Sequence, residues 1–152
     1  MTGHGSDTSS KTDARKLPLS GVRVLDMTVV WAGPYCTTLL ADMGAEVIRV
    51  ESIQTMGAAT RAPFARPSQF FIDSMPPFVG AMPGLEAGKR PWNRHPLFNA
   101  HARNKKSMTV DLLRPEGLDI FKRMVTISDV LVENNPTETM EKLGISYKEL
   151  RE

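Results

Sequence analysis

The sequence predicts an α/β fold with a parallel sheet, and two regions carry the prediction. Residues 17–51 read LPLSGVRVLDMTVVWAGPYCTTLLADMGAEVIRVE, in which a β-branched run, a turn, a helix and a second β-branched run follow one another. Residues 107–133 repeat this alternation of strand, helix and strand. Strands joined through single helices are typical of crossover connections, which lay successive strands parallel in one sheet.

The first of these units has clear boundaries. We expect a strand over Val22–Asp26, a helix that begins near Pro34, and a second strand over Glu46–Val50. Proline tolerates the first helical turn because its missing N–H would have no partner there, and Gly44 provides a usual stop. Apolar residues at helical spacing form a stripe that we expect to face the core, which makes Cys36 an inert thiol. The stripe consists of Tyr35, Cys36, Leu39, Leu40 and Met43.

Residues 53–104 form a long insertion that is rich in proline. They hold seven of the 11 prolines of the chain and show no sustained apolar periodicity. Loops of this length are uncommon in compact domains and are usually functional or partly disordered. Aromatic side chains argue against complete disorder, and we expect some of them to pack onto the domain or onto a partner subunit. They are Phe64, Phe70, Phe71, Phe78 and Trp92.

Regular structure returns after the insertion. We predict strands over Ser107–Asp111 and Asp129–Glu133, with a helix that opens at Pro115 between them. A short helix over Thr137–Leu143 follows, and the motif Ser146-x-x-Glu149 is a capping box for one further helix. The apolar residues of the Pro115 helix share one face, which we expect to be buried. They are Leu118, Phe121, Met124 and Val125.

Composition excludes several classes of protein. The 152-residue chain has a net charge of +2, which gives no general basic character for binding nucleic acid. No run approaches the roughly 18 apolar residues of a membrane span. Residues 1–16 carry almost no large apolar side chain, so we expect a disordered tail and no signal peptide. The single cysteine excludes an internal disulfide and favours a cytoplasmic protein.

Two common kinds of site are not expected. The turn after the first strand, VVWAGP, lacks the G-x-G-x-x-G pattern of dinucleotide-binding loops, which argues against an NAD-type cofactor. His95 and His101 have no acidic residue at ligand spacing, so we expect no metal site. Open α/β sheets bind their ligands beyond the carboxyl ends of the strands, and we expect a different ligand there.

Four segments, taken in order, are similar to one enzyme family. They are LSGVRVLD at 19–26, AGP at 32–34, ADMGAEVIRVE at 41–51, and the run from NKKS at 104–107 to KLG at 142–144. On these motifs the chain resembles the N-terminal portion of class III coenzyme A transferases, a family that includes formyl-CoA transferase and carnitine CoA-transferases. No single motif is specific, but their order and spacing are.

The resemblance implies a Rossmann-like large domain, of which residues 17–152 are an incomplete coenzyme A-binding part, a smaller second domain and an interlocked homodimer. In this family an aspartate carries the acyl group and then the coenzyme covalently. That aspartate lies downstream of the position of Glu152, so we expect an N-terminal fragment with no catalytic residue and no activity of its own. Acyl-CoA and a carboxylic acid are the implied substrates, with no tightly bound cofactor.

The resemblance also implies which residues meet coenzyme A. Val30 and Trp31 are expected to line the coenzyme arm, with core packing as the alternative for Val30. Lys105 stands where relatives place a lysine near the phosphates, with a solvated face as the alternative. Asn134 belongs to a Glu-Asn pair that relatives use beside the coenzyme. Lys142 replaces an arginine of many relatives, which keeps the charge but loses the planar surface.

Three functions remain open at this point. The leading one is transfer of coenzyme A between an acyl-CoA and a carboxylic acid. α-Methylacyl-CoA racemases share the fold and the motif order, and they would use a downstream histidine and aspartate. The third is a non-catalytic coenzyme A-binding or assembly half of a split enzyme.

Overall fold

A computed structural model describes residues 16–52, 66–76 and 82–151. Its centre is a sheet of four strands, namely β1 (Arg23–Asp26), β2 (Glu46–Glu51), β3 (Lys105–Thr109) and β4 (Val130–Val132). All neighbouring strands are parallel, in the order β3-β2-β1-β4. The predicted α/β fold with a parallel sheet is therefore confirmed. The predicted tail, up to residue 15, and the positions of Phe64 and Phe78 lie outside the described residues.

Six α-helices connect or follow the strands in the described ranges. They are α1 (Ala32–Asp42), α2 (Gln69–Ser74), α3 (Pro96–Ala102), α4 (Pro115–Thr126), α5 (Thr137–Lys142) and α6 (Tyr147–Leu150). The capping box at the start of α6 is confirmed, since the Ser146 backbone N–H donates to Glu149 Oε2 at 2.7 Å. Among these helices, none has both the length and the apolar character needed to cross a membrane.

The third strand begins two residues earlier than predicted. The sheet pairs Lys105 with Val47 and Thr109 with Glu51, whereas the prediction started the strand at Ser107. β3 is an edge strand, and its register follows from its backbone ladder with β2 rather than from a run of apolar side chains. The shift matters because it moves Lys105 out of a loop and into the sheet.

One side of the sheet is an apolar face, defined here by Leu25, Met27, Phe121, Met140 and Ile145. Alternate strand residues point to opposite sides, so Leu25 and Met27 of the first strand segment share this face. Leu25, Phe121 and Ile145 are fully buried. The predicted apolar stripe of α4 is confirmed, because the rest of that stripe packs partly buried against the same cluster.

The other side of the sheet packs against α1, and the buried face predicted for this helix is wrong. The buried residues are small, namely Gly33, Pro34, Thr37, Thr38 and Ala41. Four members of the predicted stripe are exposed instead, and they are Tyr35, Cys36, Leu39 and Met43. Small residues let the helix lie close to the sheet, and the two threonine hydroxyls find hydrogen-bond partners there. Cys36 is accordingly not the buried core thiol that the periodicity indicated.

The described part of the insertion contains more regular structure than its composition predicts. It holds α2, α3 and two short 3-10 helices at Pro83–Leu85 and Pro91–Asn93. Ile72 and Met82 are buried, whereas Phe70 is 82% exposed. The Arg66 guanidinium lies 5.5 Å from the centre of the Trp92 ring, a cation–π distance. These contacts stabilise short helices in a segment where frequent proline and glycine leave no apolar periodicity by which the helices could be predicted.

Candidate functional site

The strand order indicates a candidate ligand site. The chain runs outward from β1 to β2 and β3, and then returns to lay β4 on the opposite side of β1. In open α/β sheets the crevice at such a reversal, outside the carboxyl ends of the strands, is the usual ligand site. Here the crevice lies between the turn that follows β1 and the segment that follows β4.

Asn134 joins these two segments. Its side-chain Oδ1 accepts from the Val29 backbone N–H at 2.9 Å, and its Nδ2 donates to the Val30 carbonyl at 2.9 Å. Gly33 allows the close approach, since a Cβ at that position would lie 2.6 Å from Thr28 Cβ and 2.9 Å from Asn134 Cγ. Both polar ends of the Asn134 amide are thus used to hold the turn after β1.

Val30 and Trp31 lie at the surface of this turn. Val30 is 42% exposed and Trp31 is 52% exposed, so neither is a core residue. Trp31 adopts φ 41° and ψ −89°, a conformation that non-glycine residues rarely take and that costs about 1–3 kcal/mol. Its ring meets the His101 ring edge-on with centroids 5.9 Å apart. The turn therefore presents an aromatic and a branched apolar side chain in a strained, well-held backbone.

A cavity of about 380 Å³ opens beside this turn. It is lined by residues at the carboxyl ends of several strands, among them Thr28, Ser52 and Asn135, and by Lys142 from α5. The Lys142 side chain is 73% exposed and its Nζ contacts Glu138 Oε2 at 2.6 Å, one helical turn away. An exposed pair of this kind is weak, so the ammonium is available to an incoming anion.

Lys105 is buried beneath α1 instead of lying exposed at the crevice. Its side chain is 1% exposed, and its Nζ donates to Asp26 Oδ2 at 2.9 Å, to the Pro34 carbonyl at 2.7 Å and to Thr37 Oγ1 at 2.7 Å. An ammonium has three donors, and these three acceptors use them all. The structure thus brings Val30, Trp31 and Asn134 together, leaves Lys142 at the cavity wall, and buries Lys105 beneath α1.

Asp26 is the centre of this buried network. Burial alone raises the pKa of its carboxyl, but hydrogen bonds from Thr28 and Thr37 and the charge of Lys105 hold that pKa below its usual value. Burial lowers the pKa of Lys105, and the attraction of Asp26 opposes that change. The two groups are therefore an ion pair, 0% and 1% exposed, inside the protein.

Asp26, Thr28 and Thr37 were not predicted as contributors to the site. A signal was present, because an aspartate that ends a strand of buried apolar residues needs partners, and threonine is a poor core residue unless its hydroxyl is bonded. His95 and His101 are buried. In the ranges 16–52, 66–76 and 82–151, no group of three or more His, Cys, Asp or Glu side chains could hold a metal ion.

Residues 19–152 match the sequence profile of CoA-transferase family III. The chain is 37% identical over 137 residues to a succinate--glutarate CoA-transferase of Agrobacterium fabrum, covering 90% of this chain and 30% of that protein. It is 40% identical over 134 residues to a succinyl-CoA:mesaconate CoA-transferase of Haloarcula hispanica, covering 88% of this chain and 28% of that protein.

Solved structures give the same result. A CAIB/BAIF family protein from Brucella suis aligns with a TM-score of 0.66 at 31% identity, covering 90% of this chain and 31% of that chain. The hypothetical protein Rv3272 from Mycobacterium tuberculosis aligns with a TM-score of 0.62 at 32% identity. The chain spans about 30% of the length of these relatives. The profile match and the shared parallel fold show that this chain belongs to CoA-transferase family III.

Proposed function

We propose that this chain supplies the coenzyme A-binding part of an acyl-CoA:carboxylate CoA-transferase. The observation that carries the proposal is the crevice at the reversal of strand order, where the exposed turn of Val30 and Trp31 adjoins the 380 Å³ cavity. Membership of CoA-transferase family III supports coenzyme A, rather than a free nucleotide, as the ligand of that crevice.

The two parts of the crevice suit the two ends of the coenzyme. The cavity offers Lys142, the Ser52 segment and Asn135, which can meet phosphate and nucleotide groups. The adjoining turn offers Val30 and the Trp31 ring, which suit the long neutral arm that leads to the sulfur. In this arrangement Asn134 acts through the turn that it holds, since its amide is already bonded on both sides.

Transfer between acids is a better candidate than racemisation. The relatives above are named as CoA-transferases that act on succinyl-CoA, succinate, glutarate or mesaconate, which are small dicarboxylic acids or their thioester. We therefore propose succinyl-CoA as the donor to test first and short dicarboxylic acids as the acceptors. The covalent carboxylate that such a transfer needs is, by family resemblance, supplied by residues beyond those described here.

The exposed stripe on α1 bears on assembly. Tyr35, Leu39 and Met43 lie at helical spacing and form an apolar surface that is exposed in the described part of the chain. We propose that other parts of a dimeric transferase cover it. Binding of coenzyme A is then a property that these 152 residues retain, whereas turnover needs the complete assembly, and a cytoplasmic location stays a prediction from the single cysteine.

Calorimetric titration with coenzyme A tests the binding proposal. The intact protein that carries these residues should bind coenzyme A saturably, and Lys142→Ala should weaken binding most at low salt, since the side chain is exposed and screened. Lys122→Ala, an exposed lysine of α4 away from the cavity, is the matched control and should have no effect. Absence of saturable binding would overturn the proposal.

A transfer assay tests the reaction. The intact protein should move coenzyme A from succinyl-CoA to a short dicarboxylic acid, and the 152-residue chain alone should not. Hydroxylamine trapping of an enzyme-bound thioester distinguishes transfer from racemisation of an α-methylacyl-CoA. Turnover by the 152 residues alone would show that the catalytic group lies within them.

A further inference from the structure

Lys105 crosses the sheet to reach its partner. The strand order separates its own strand, β3, from β1 by the intervening β2. Neighbouring strands lie about 4.8 Å apart, so the backbones of Lys105 and Asp26 are two strand spacings apart. The long unbranched stem of the lysine and the aspartate side chain together span this gap. Lys105 is paired in register with Val47, and Val47 with Val24, whereas Asp26 lies two residues further along β1. The side chain therefore runs across the sheet and toward its carboxyl end.

The ammonium of Lys105 ties together the two sides of the strained turn. On the side before the turn it contacts Asp26, whose Oδ1 in turn accepts from the Thr28 backbone N–H at 2.9 Å. On the side after the turn it contacts the Pro34 carbonyl in the first turn of α1. A backbone conformation such as that of Trp31 persists only when its surroundings hold it. Lys105 supplies contacts on both sides.

The same contacts exclude Lys105 from the coenzyme phosphates. Its three donors are used, its side chain is 1% exposed, and a phosphate placed on it would lie beside the buried carboxylate of Asp26. Repulsion between those two anions would oppose the contact. The residue that the resemblance implies as a phosphate ligand is held in the interior by groups of its own chain.

We propose that Lys105 is a positioning residue of the coenzyme A site, which acts by holding the Val30–Trp31 turn and does not touch the ligand. The inference rests on the proposed function, because it assigns a role within that site. It makes a specific claim about which part of the ligand depends on Lys105. The affected part is the neutral arm that meets the turn, and the phosphates are affected only through it.

Pantetheine separates the two roles, because it has the arm but neither phosphates nor adenine. In the intact protein, Lys105→Met should lower the affinities for coenzyme A and for pantetheine by the same factor, between about tenfold and a hundredfold. Effects of this size are expected when groups in a site are misplaced by about an ångström. Salt should not change that factor. Lys106→Met, an exposed neighbour that pairs with Glu46, is the matched control and should leave both affinities unchanged.

Asp26→Asn combined with Lys105→Met keeps the test valid if the single variant fails to fold. The double variant removes both charges of the buried pair and should fold, while pantetheine binding stays weakened because the contact with Pro34 is still lost. A loss limited to coenzyme A, or unchanged affinity for both ligands in a folded variant, would overturn the inference. Failure of the unmodified protein to bind either ligand would instead overturn the proposed function.

Discussion

The two faces of the sheet differ in what they bury besides apolar side chains. The apolar face packs Leu25 and Phe121 with Ile145, all fully buried, and its contacts need no particular hydrogen-bond geometry. The face toward α1, which we call the polar face, buries a second apolar cluster and, beside it, Asp26, Thr37 and Lys105 in one hydrogen-bonded network. Dispersion and hydrophobic contacts favour a compact core, whereas a fully hydrogen-bonded polar network fixes the orientation of the side chains and backbone groups that it joins. The first face stabilises the domain, and the second gives the turn at the site its conformation.

The largest expected effect belongs to the apolar face. Phe121→Ala should lower the free energy of unfolding by about 3–5 kcal/mol, because it removes a fully buried ring and leaves a cavity. Coenzyme A affinity of the folded protein should not change. Urea unfolding and calorimetric titration measure the two quantities, and a large loss of affinity in folded Phe121→Ala would break the distinction between the faces.

On the polar face, removing one partner of the buried ion pair should destabilise the protein more than removing both partners. Lys105→Met should lower the free energy of unfolding by about 3 kcal/mol, because it leaves the Asp26 carboxylate buried without its cation. Adding Asp26→Asn should restore much of that stability. Urea midpoints of the two variants provide the comparison, and a double variant less stable than the single one would contradict this account.

Close packing at the turn should give an intermediate effect. Gly33→Ala forces a methyl group against Thr28 and Asn134, which should cost about 1–3 kcal/mol despite the better helix propensity of alanine. It should also weaken coenzyme A binding, since the turn has to move. Adding Thr28→Ser removes one clashing methyl group and should recover part of both losses. Full stability in Gly33→Ala would show that the turn shifts freely.

The smallest effect concerns His101, which packs against the Trp31 ring. Burial lowers the pKa of His101 below its usual value of 6.5, and the positive charges of Lys105 and Arg49 act in the same direction. As the pH is lowered, His101 is therefore protonated in the unfolded chain before it is protonated in the folded protein. The free energy of unfolding should fall as the pH drops below about 6.5. His101→Phe should flatten the fall between pH 7 and pH 5 in urea unfolding. An identical pH profile in the variant would exclude a contribution from His101.

Much of the fold follows from local sequence patterns. β1, β2 and β4 lie within about two residues of their predicted bounds, because their β-branched runs are flanked by a glycine or a polar turn. The predicted buried stripe of α4 is also confirmed, because only one face of this helix is apolar. The buried face that helical periodicity predicts for α1 is wrong, because this helix has one face of large apolar residues and another of small ones. The distance between helix and sheet selects the small face, and a single sequence does not reveal that distance.

The site was only partly accessible from the sequence. The position of the Val30–Trp31 turn after the first strand follows from the strand–turn–helix pattern, and Asn134 follows from the end of the fourth strand. The path of the Lys105 side chain does not, because it depends on the strand order and on the register of an edge strand. A charge run in a sequence does not say which of its members points inward.

The long sequence separations within the site have a consequence for folding order. The Lys105–Asp26 contact joins residues 79 positions apart, and the Asn134–Val29 contact joins residues 105 positions apart. Contacts between distant residues form slowly, because the loop between them has to close first. During synthesis the turn of Val29–Trp31 leaves the ribosome long before either partner exists. This turn is therefore among the earliest parts of the chain to be made and among the last to acquire its shape.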